Sequence, residues 1–179
     1  MIIFYILLLI IAAFISLSLI VNTLKLGISP MPSSKKAYNA IVKLVNIETT
    51  CPIIDLGSGW GSFVIRMARE NPKRQVVGYE LSLLPWLTSV LLKKALGLHN
   101  LTLYRKNFYN VTLPEGSVVI CYLYPEAMEK IRNKLLLEQP KIKLLISNNF
   151  AVPSWKSYKI IRLDDFYNSP IYLYKMSEV

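Results

Sequence analysis

DLGSGWG, residues 55–61, sets three glycines at alternate positions behind an acid, directly after the apolar run 51–54. An apolar run that empties into glycines reads as a buried strand, 52–56, followed by a turn where side chains would obstruct the backbone. Val64, Met67 and Ala68 then recur at helical spacing within residues 63–70, so the loop joins a strand to a helix. In an open parallel sheet that junction lies beyond the carboxyl end of a strand, where ligands bind.

Outward from this junction, strand and helix patterns alternate. QVVGYE (75–80) reads as the second strand. Pro85 suits the first turn of a helix that runs through Trp86, Val90 and Leu91 to Leu96, and Gly97 sits where it should stop. Residues 101–105 form a third strand, and SVVICYL (117–123) is continuous and apolar as central parallel strands are. Pro125 opens a helix with Met128, Ile131 and Leu135 on one face, and residues 141–147 give a fifth strand. Residues 157–163 and 171–176 are strand-like with only a turn between them. The order implies a doubly wound α/β sheet whose last strand runs antiparallel.

The 179-residue chain is 53% hydrophobic and carries a net charge of +10. Residues 2–21 hold no charged side chain, and the first charge is Lys25. Twenty such residues as a helix span roughly 30 Å, the thickness of a bilayer core. A cleaved signal peptide would want a basic start, a shorter apolar centre and a small-x-small site after it, whereas no Lys or Arg precedes this run and Ile, Leu and Asn follow it. Residues 1–24 are therefore expected to be a transmembrane anchor. Lys25, Lys35 and Lys36 follow it, and the positive-inside rule puts the remainder in the cytoplasm.

GISPMPSS (27–34) ends the anchor. A basic amphipathic helix follows, with Ala37, Ala40, Ile41, Leu44 and Val45 on one side and Lys35, Lys36 and Lys43 mostly on the other. Residues 25–46 thus form a linker and helix between membrane and domain, and 47–179 the α/β domain. All of the net charge lies beyond the anchor, which suits anionic headgroups or nucleic acid. Cys51 and Cys121 sit at apolar positions and read as reduced core residues; with one histidine there is no metal-ligand spacing.

Dinucleotide loops read G-x-G-x-x-G and place a pyrophosphate on the helix N-terminus. Here the spacing is G-x-G-x-G with Asp55 two residues before the first glycine. That acid repels a pyrophosphate and suits a cationic ligand. The stretch 55–61 resembles the first motif of the seven-strand, Rossmann-like S-adenosylmethionine-dependent methyltransferases. In that family an acid at the end of strand two, here Glu80, accepts hydrogen bonds from the ribose hydroxyls. An Asp-Phe after strand three addresses the adenine, and Asn107 with Phe108 stands at that place. The resemblance implies cofactor contacts at Asp55, Gly57, Ser58, Gly59, Gly61, Glu80, Leu81, Asn107, Phe108 and Tyr122. Trp60 stands where family members commonly have Asp.

PSSKK (32–36), DLGSGWG, GYELSLLPW (78–86), KNFYNV (106–111), VVICYLYPEAM (118–128) and NNFAVPSWK (148–156), behind an N-terminal membrane helix, are together similar to a narrower group. These are the membrane-anchored lysine methyltransferases that modify the c subunit of ATP synthase and the adenine nucleotide translocase, with their prokaryotic relatives. The resemblance implies transfer of a methyl group from S-adenosylmethionine to a protein lysine amine.

Methyl transfer needs alignment and a neutral amine. A lysine pKa of about 10.4 means that the site must help remove a proton. In this fold the acceptor arrives at the end of strand four, so Tyr122, Tyr124 and Pro125 are the catalytic candidates, and Asn148, Asn149 and Trp155 a second wall. His99 is expected in a plain loop, and Asp164 and Asp165 in a turn away from the site. A nucleic-acid acceptor, a small-molecule or lipid acceptor, and a non-catalytic cofactor-binding membrane module are the alternatives. A D/N-P-P-Y-like motif, expected for adenine amines, is not what residues 122–125 spell.

Overall fold

The computed structural model describes residues 1, 3–10, 33–46, 51–139 and 141–176. It divides into two units, residues 1–31 and 32–179. In the first, residues 3–10 are helical with exposed side chains. Most of the expected span, 2–21, and of the linker that follows it lies outside the described residues. Among the described residues no helix is long and apolar enough to cross a membrane.

The second unit contains helices α1 (Lys35–Val45), α2 (Ser62–Glu70), α3 (Leu83–Ala95) and α4 (Pro125–Glu138). Its strands are β1 (Ile53–Leu56), β2 (Val76–Tyr79), β3 (Leu101–Tyr104), β4 (Val118–Cys121), β5 (Leu144–Asn148), β6 (Lys159–Arg162) and β7 (Pro170–Lys175). They form one seven-stranded sheet in the order β3-β2-β1-β4-β5-β7-β6. Strands β1 to β5 are parallel, and β7 runs antiparallel between β5 and β6. Strand order reverses between β1 and β4, so the crevice beyond their carboxyl ends is the expected ligand site.

Side-chain alternation along the strands divides the core into two layers. Ile53 faces one layer with α1 and α2, while Ile54 and Leu56 face the other with α4. Helix α1 is a full member of the first layer. Ser34 caps it by accepting from the Ala37 amide at 3.1 Å. Ala37, Tyr38, Ile41, Leu44 and Val45 are buried, and the Tyr38 hydroxyl donates to Glu70 Oε2 at 2.8 Å. Burying Ile41 and Val45 stabilises the fold by about 1.5–3 kcal/mol each. Arg74, itself buried, holds the far end by donating to the carbonyls of Val45 and Cys51.

Helix α3 buries little of its surface. Only Pro85 and Ser89 are buried, and Leu83, Leu87, Leu91, Leu92 and Leu96 are exposed. The small Ser89 is the side that touches the glycine loop, which turns the leucine side outward.

The register also places the last turn. Asn148 pairs with Ile171, and Arg162 with Pro170. Residues 163–169, with Asp164 and Asp165, therefore emerge at the carboxyl edge of the sheet, the edge of the glycine loop. They lie at the far side of the sheet, three strands and roughly 14 Å from β4. Adjacent strands are about 4.8 Å apart, which puts β6 roughly 10 Å from β5.

Candidate active site

Gly57, Gly59 and Gly61 all have positive φ, at 86°, 52° and 76°. The loop they build is closed on itself. The amides of Gly57 and Ser58 both donate to the Tyr79 carbonyl at 2.9 Å, and the Gly61 amide donates to Ser58 O at 2.9 Å. The Gly59 amide donates to Glu80 Oε2 at 2.9 Å. Amides that would cradle a phosphate are thus already committed within the protein, so this loop is not an anion nest. What it offers a ligand is acceptors: the buried carboxylates of Asp55 and Glu80.

Glu80 ties two elements together. Its Oε1 accepts from the Ser82 amide at 2.7 Å while Oε2 holds the glycine loop. A carboxylate has about four lone-pair sites, so roughly two remain for ligand hydroxyls. Leu81 is exposed, whereas Ser82 is buried and its hydroxyl has no partner among the described residues. The Ser58 hydroxyl is likewise buried without a partner among them. Ser89 Oγ donates toward the Gly59 carbonyl at 3.2 Å and to Pro85 O at 2.9 Å, bracing the loop from α3. Ser82 and Ser89 were missed in the sequence; the only signal was a serine two residues behind the strand-end acid, in N-cap position.

Burial, and then the Glu80 charge, push the Asp55 carboxyl up to about 7. Its folded-state pKa lies above the ordinary 3.8. Protonated Asp55 thus stabilises the fold fully below that ordinary value, and the contribution is lost as pH rises through about 7. A cation seated against Asp55 favours the ionised form and releases the proton. Affinity for a cationic ligand is expected to rise about tenfold between about pH 6 and pH 8. Calorimetric titration across that range checks it, and Asp55→Asn flattens the dependence.

Beyond β4, the Tyr122 hydroxyl accepts from Asn149 Nδ2 at 3.3 Å. Tyr122 also stacks on Phe150 with centroids 6.4 Å apart. Asn149 is left-handed at φ 70°, and its amide donates to Pro170 O at 2.8 Å, fixing the β5 exit. Tyr124 is the N-cap of α4, and the exposed Pro125 begins the helix. Buried Asn148 turns to Ser33 Oγ at 3.3 Å. Trp155 packs edge-on against Tyr174 at 6.0 Å and belongs to the core margin.

Asn107 Oδ1 is engaged locally, accepting from the Tyr109 amide at 3.0 Å to cap a short 3-10 turn, Phe108–Asn110. The Lys134 ammonium, also missed in the sequence, donates to the carbonyls of Tyr109 and Val111 at 3.1 and 2.7 Å and secures that turn. His99 lies exposed in a turn. Cys51 and Cys121 are buried, and burial pushes the Cys121 thiol up to about 12.

The sequence pattern of the ANTKMT methyltransferase domain matches residues 55–159, more than half of the chain. The chain belongs to this family. As an ANTKMT-family methyltransferase it uses S-adenosylmethionine, and the donor set fits: carboxylates for hydroxyls and cationic groups, with no phosphate cradle. It is 23% identical over 152 residues to a protein-lysine N-methyltransferase of Saccharolobus islandicus (strain REY15A), covering 83% of this chain and 93% of that relative. It is 30% identical over 128 residues to a Mus musculus lysine N-methyltransferase named for the C subunit of ATP synthase, covering 70% of this chain and 50% of the mouse protein. The chain therefore spans about half the length of that mouse relative. An RNA methyltransferase from Salinibacter ruber, solved in complex with S-adenosyl-L-homocysteine, superposes with a TM-score of 0.70 at 23% identity. The match covers 82% of this chain and 94% of that one, and shows the shared fold.

Proposed function

We propose that this S-adenosylmethionine-dependent protein-lysine N-methyltransferase modifies a lysine on a membrane protein, working from the cytoplasmic side and tethered through residues 2–21. The observation that carries the cofactor site is Glu80: a buried carboxylate bonded to the Gly59 and Ser82 amides, with acceptor capacity to spare, one strand from the switch point of the sheet. The membrane-protein acceptor is favoured by the uncharged stretch 2–21 and by the mouse relative, named for lysine methylation of the ATP synthase C subunit.

S-adenosylmethionine, when bound, supplies an electrophilic methyl group on a sulfonium. In the proposed assignment Asp55 offsets the positive charge. The main chain at Gly57, Ser58, Gly59 and Gly61 lines the amino-acid end, Glu80 and Leu81 the ribose, and Asn107 and Phe108 the adenine. Tyr122 lies between cofactor and acceptor. Tyr122, Tyr124 and Pro125 form the acceptor entrance, and the Tyr122 hydroxyl, oriented by Asn149, accepts a hydrogen bond from the incoming amine and directs its lone pair. Tyr122→Phe is then expected to lower kcat about 10–100-fold while leaving cofactor affinity near wild type. Steady-state kinetics beside calorimetry separates the two.

The net charge of +10 is the one observation favouring a nucleic-acid acceptor instead. Incubation with methyl-labelled cofactor and membranes from the native source, followed by separate counting of protein, lipid and nucleic acid, decides between them. Label in protein supports the proposal; label in lipid or nucleic acid overturns it.

A further inference from the structure

Three features converge on the carboxyl edge of the sheet and have no part in holding the cofactor. The first is an aromatic tip. Phe166 and Tyr167, in the β6–β7 turn, are 91% and 83% exposed and pack edge to face at 5.1 Å. The turn is braced so that it presents them outward. Asp165 Oδ1 accepts from the Ser169 amide at 2.8 Å, and the Asp164 carbonyl accepts from the Lys36 ammonium at the start of α1.

The second feature is charge. Lys35, Lys36, Arg105 and Lys106 are all exposed, the first two opening α1 and the last two following β3. They stretch from β3 at one side to the start of α1, where Lys36 reaches Asp164 just after β6, towards the other. At about 4.8 Å per strand, the edge spans roughly 29 Å. Cations spread over that width suit an extended anionic plane better than a compact protein epitope. Exposed aromatics beside them match the composition that settles at a headgroup boundary.

The third is connectivity. The chain enters the domain at this edge, where Ser33 Oγ meets Asn148 Nδ2 at the end of β5. The apolar stretch ends at residue 21, twelve residues before Ser33.

The geometry points to a membrane-docking surface: the carboxyl edge of the sheet lies against an anionic bilayer, with Phe166 and Tyr167 seated among the headgroups. This inference rests on the membrane-tethered function proposed above and adds which face of the domain meets the lipid. It also narrows the substrate. With the acceptor entrance at Tyr122, Tyr124 and Pro125 opening on the same edge, the enzyme selects lysines held close to the bilayer plane over lysines far out in solution.

The test uses the full-length protein in vesicles of equal parts phosphatidylcholine and phosphatidylserine containing spin-labelled lipid. Phe166→Cys carries a fluorophore, the native thiols being buried. Leu137→Cys, 86% exposed near the C-terminal end of α4 at the opposite edge, is the control. Lipid quenching at position 166 several-fold above that at 137 supports the proposal. Equal, weak quenching at both positions in protein that floats with the vesicles overturns it and leaves the tether standing. Protein that does not float overturns both. Shielding of the 166 label only when an acceptor protein is added reassigns the tip to protein docking and also overturns it. In parallel, the double substitution Phe166→Ser, Tyr167→Ser is expected to lower methylation of a membrane-embedded acceptor about tenfold, with methylation of a soluble lysine peptide unchanged. Equal loss on both substrates contradicts the docking role.

Discussion

Glu80→Ala is expected to weaken S-adenosylmethionine binding by at least about 100-fold and to remove activity with it. In the proposed role, Glu80 makes charge-assisted hydrogen bonds to two hydroxyls. At about 1.5–3 kcal/mol each, their joint loss is roughly 3–6 kcal/mol, which is more than two decades in Kd. The alanine variant has a second, separate effect on the fold. The Gly59 and Ser82 amides, now bonded to the two carboxylate oxygens, are left without acceptors. Each orphaned amide costs about 1–3 kcal/mol when buried. Glu80→Gln keeps one good acceptor oxygen and falls between. Calorimetric titration of cofactor with a denaturation curve for each variant distinguishes the effects. A folded alanine variant with wild-type affinity contradicts the assigned role.

The largest purely structural effect is expected at Gly61. A Cβ there would lie 2.6 Å from Ser89 Oγ and 3.1 Å from Ile65 Cδ1, on a residue with φ +76°. Two costs combine: about 1–2 kcal/mol for an L-residue in the left-handed region and about 1–3 kcal/mol for overpacking. Gly61→Ala should therefore lose roughly 2–5 kcal/mol of stability. Gly97 supplies the comparison, since its φ is +63° but a Cβ would meet nothing within 4 Å. Gly97→Ala isolates the backbone cost, and the excess at Gly61 measures how tightly α3 is pressed onto the loop. Because Ser89 Oγ also bonds the Gly59 carbonyl, displacing Ser89 should weaken cofactor binding as well. Denaturant midpoints at constant m-value provide the measurement. Equal losses at the two glycines would refute the close contact.

The sheet was legible because its strands are buried on both faces and read as unbroken apolar runs, from Ile53 and Ile54 to the 118–121 segment. Each βα unit announced itself through a glycine or proline at the junction, and the lone antiparallel strand followed from a hairpin too short for a crossover. The antiparallel β7 and the methyltransferase sheet agree with that expectation.

What failed to show was set by tertiary contacts. Leucines on α3 look like core from their spacing, yet Ser89 is the side that packs, a choice dictated by Gly61 across the interface. The place of Asp164 and Asp165 depends on β7 inserting between β5 and β6, which no local pattern encodes. Glu80 stood out as a strand-end acid, but that its two oxygens clamp separate backbone amides is a property of the folded loop. The raised Asp55 carboxyl was equally hidden, because its cause is burial beside Glu80 rather than anything adjacent in sequence.

The central claim, methylation of protein lysine at the Glu80 site, is tested most directly by acid hydrolysis of membrane protein labelled by the full-length enzyme, with Glu80→Ala in parallel. Chromatography of the hydrolysate should place the label on methylated lysine with wild-type enzyme and give none with the variant. Label on another residue, or equal methyl-lysine from both enzymes, would contradict the account.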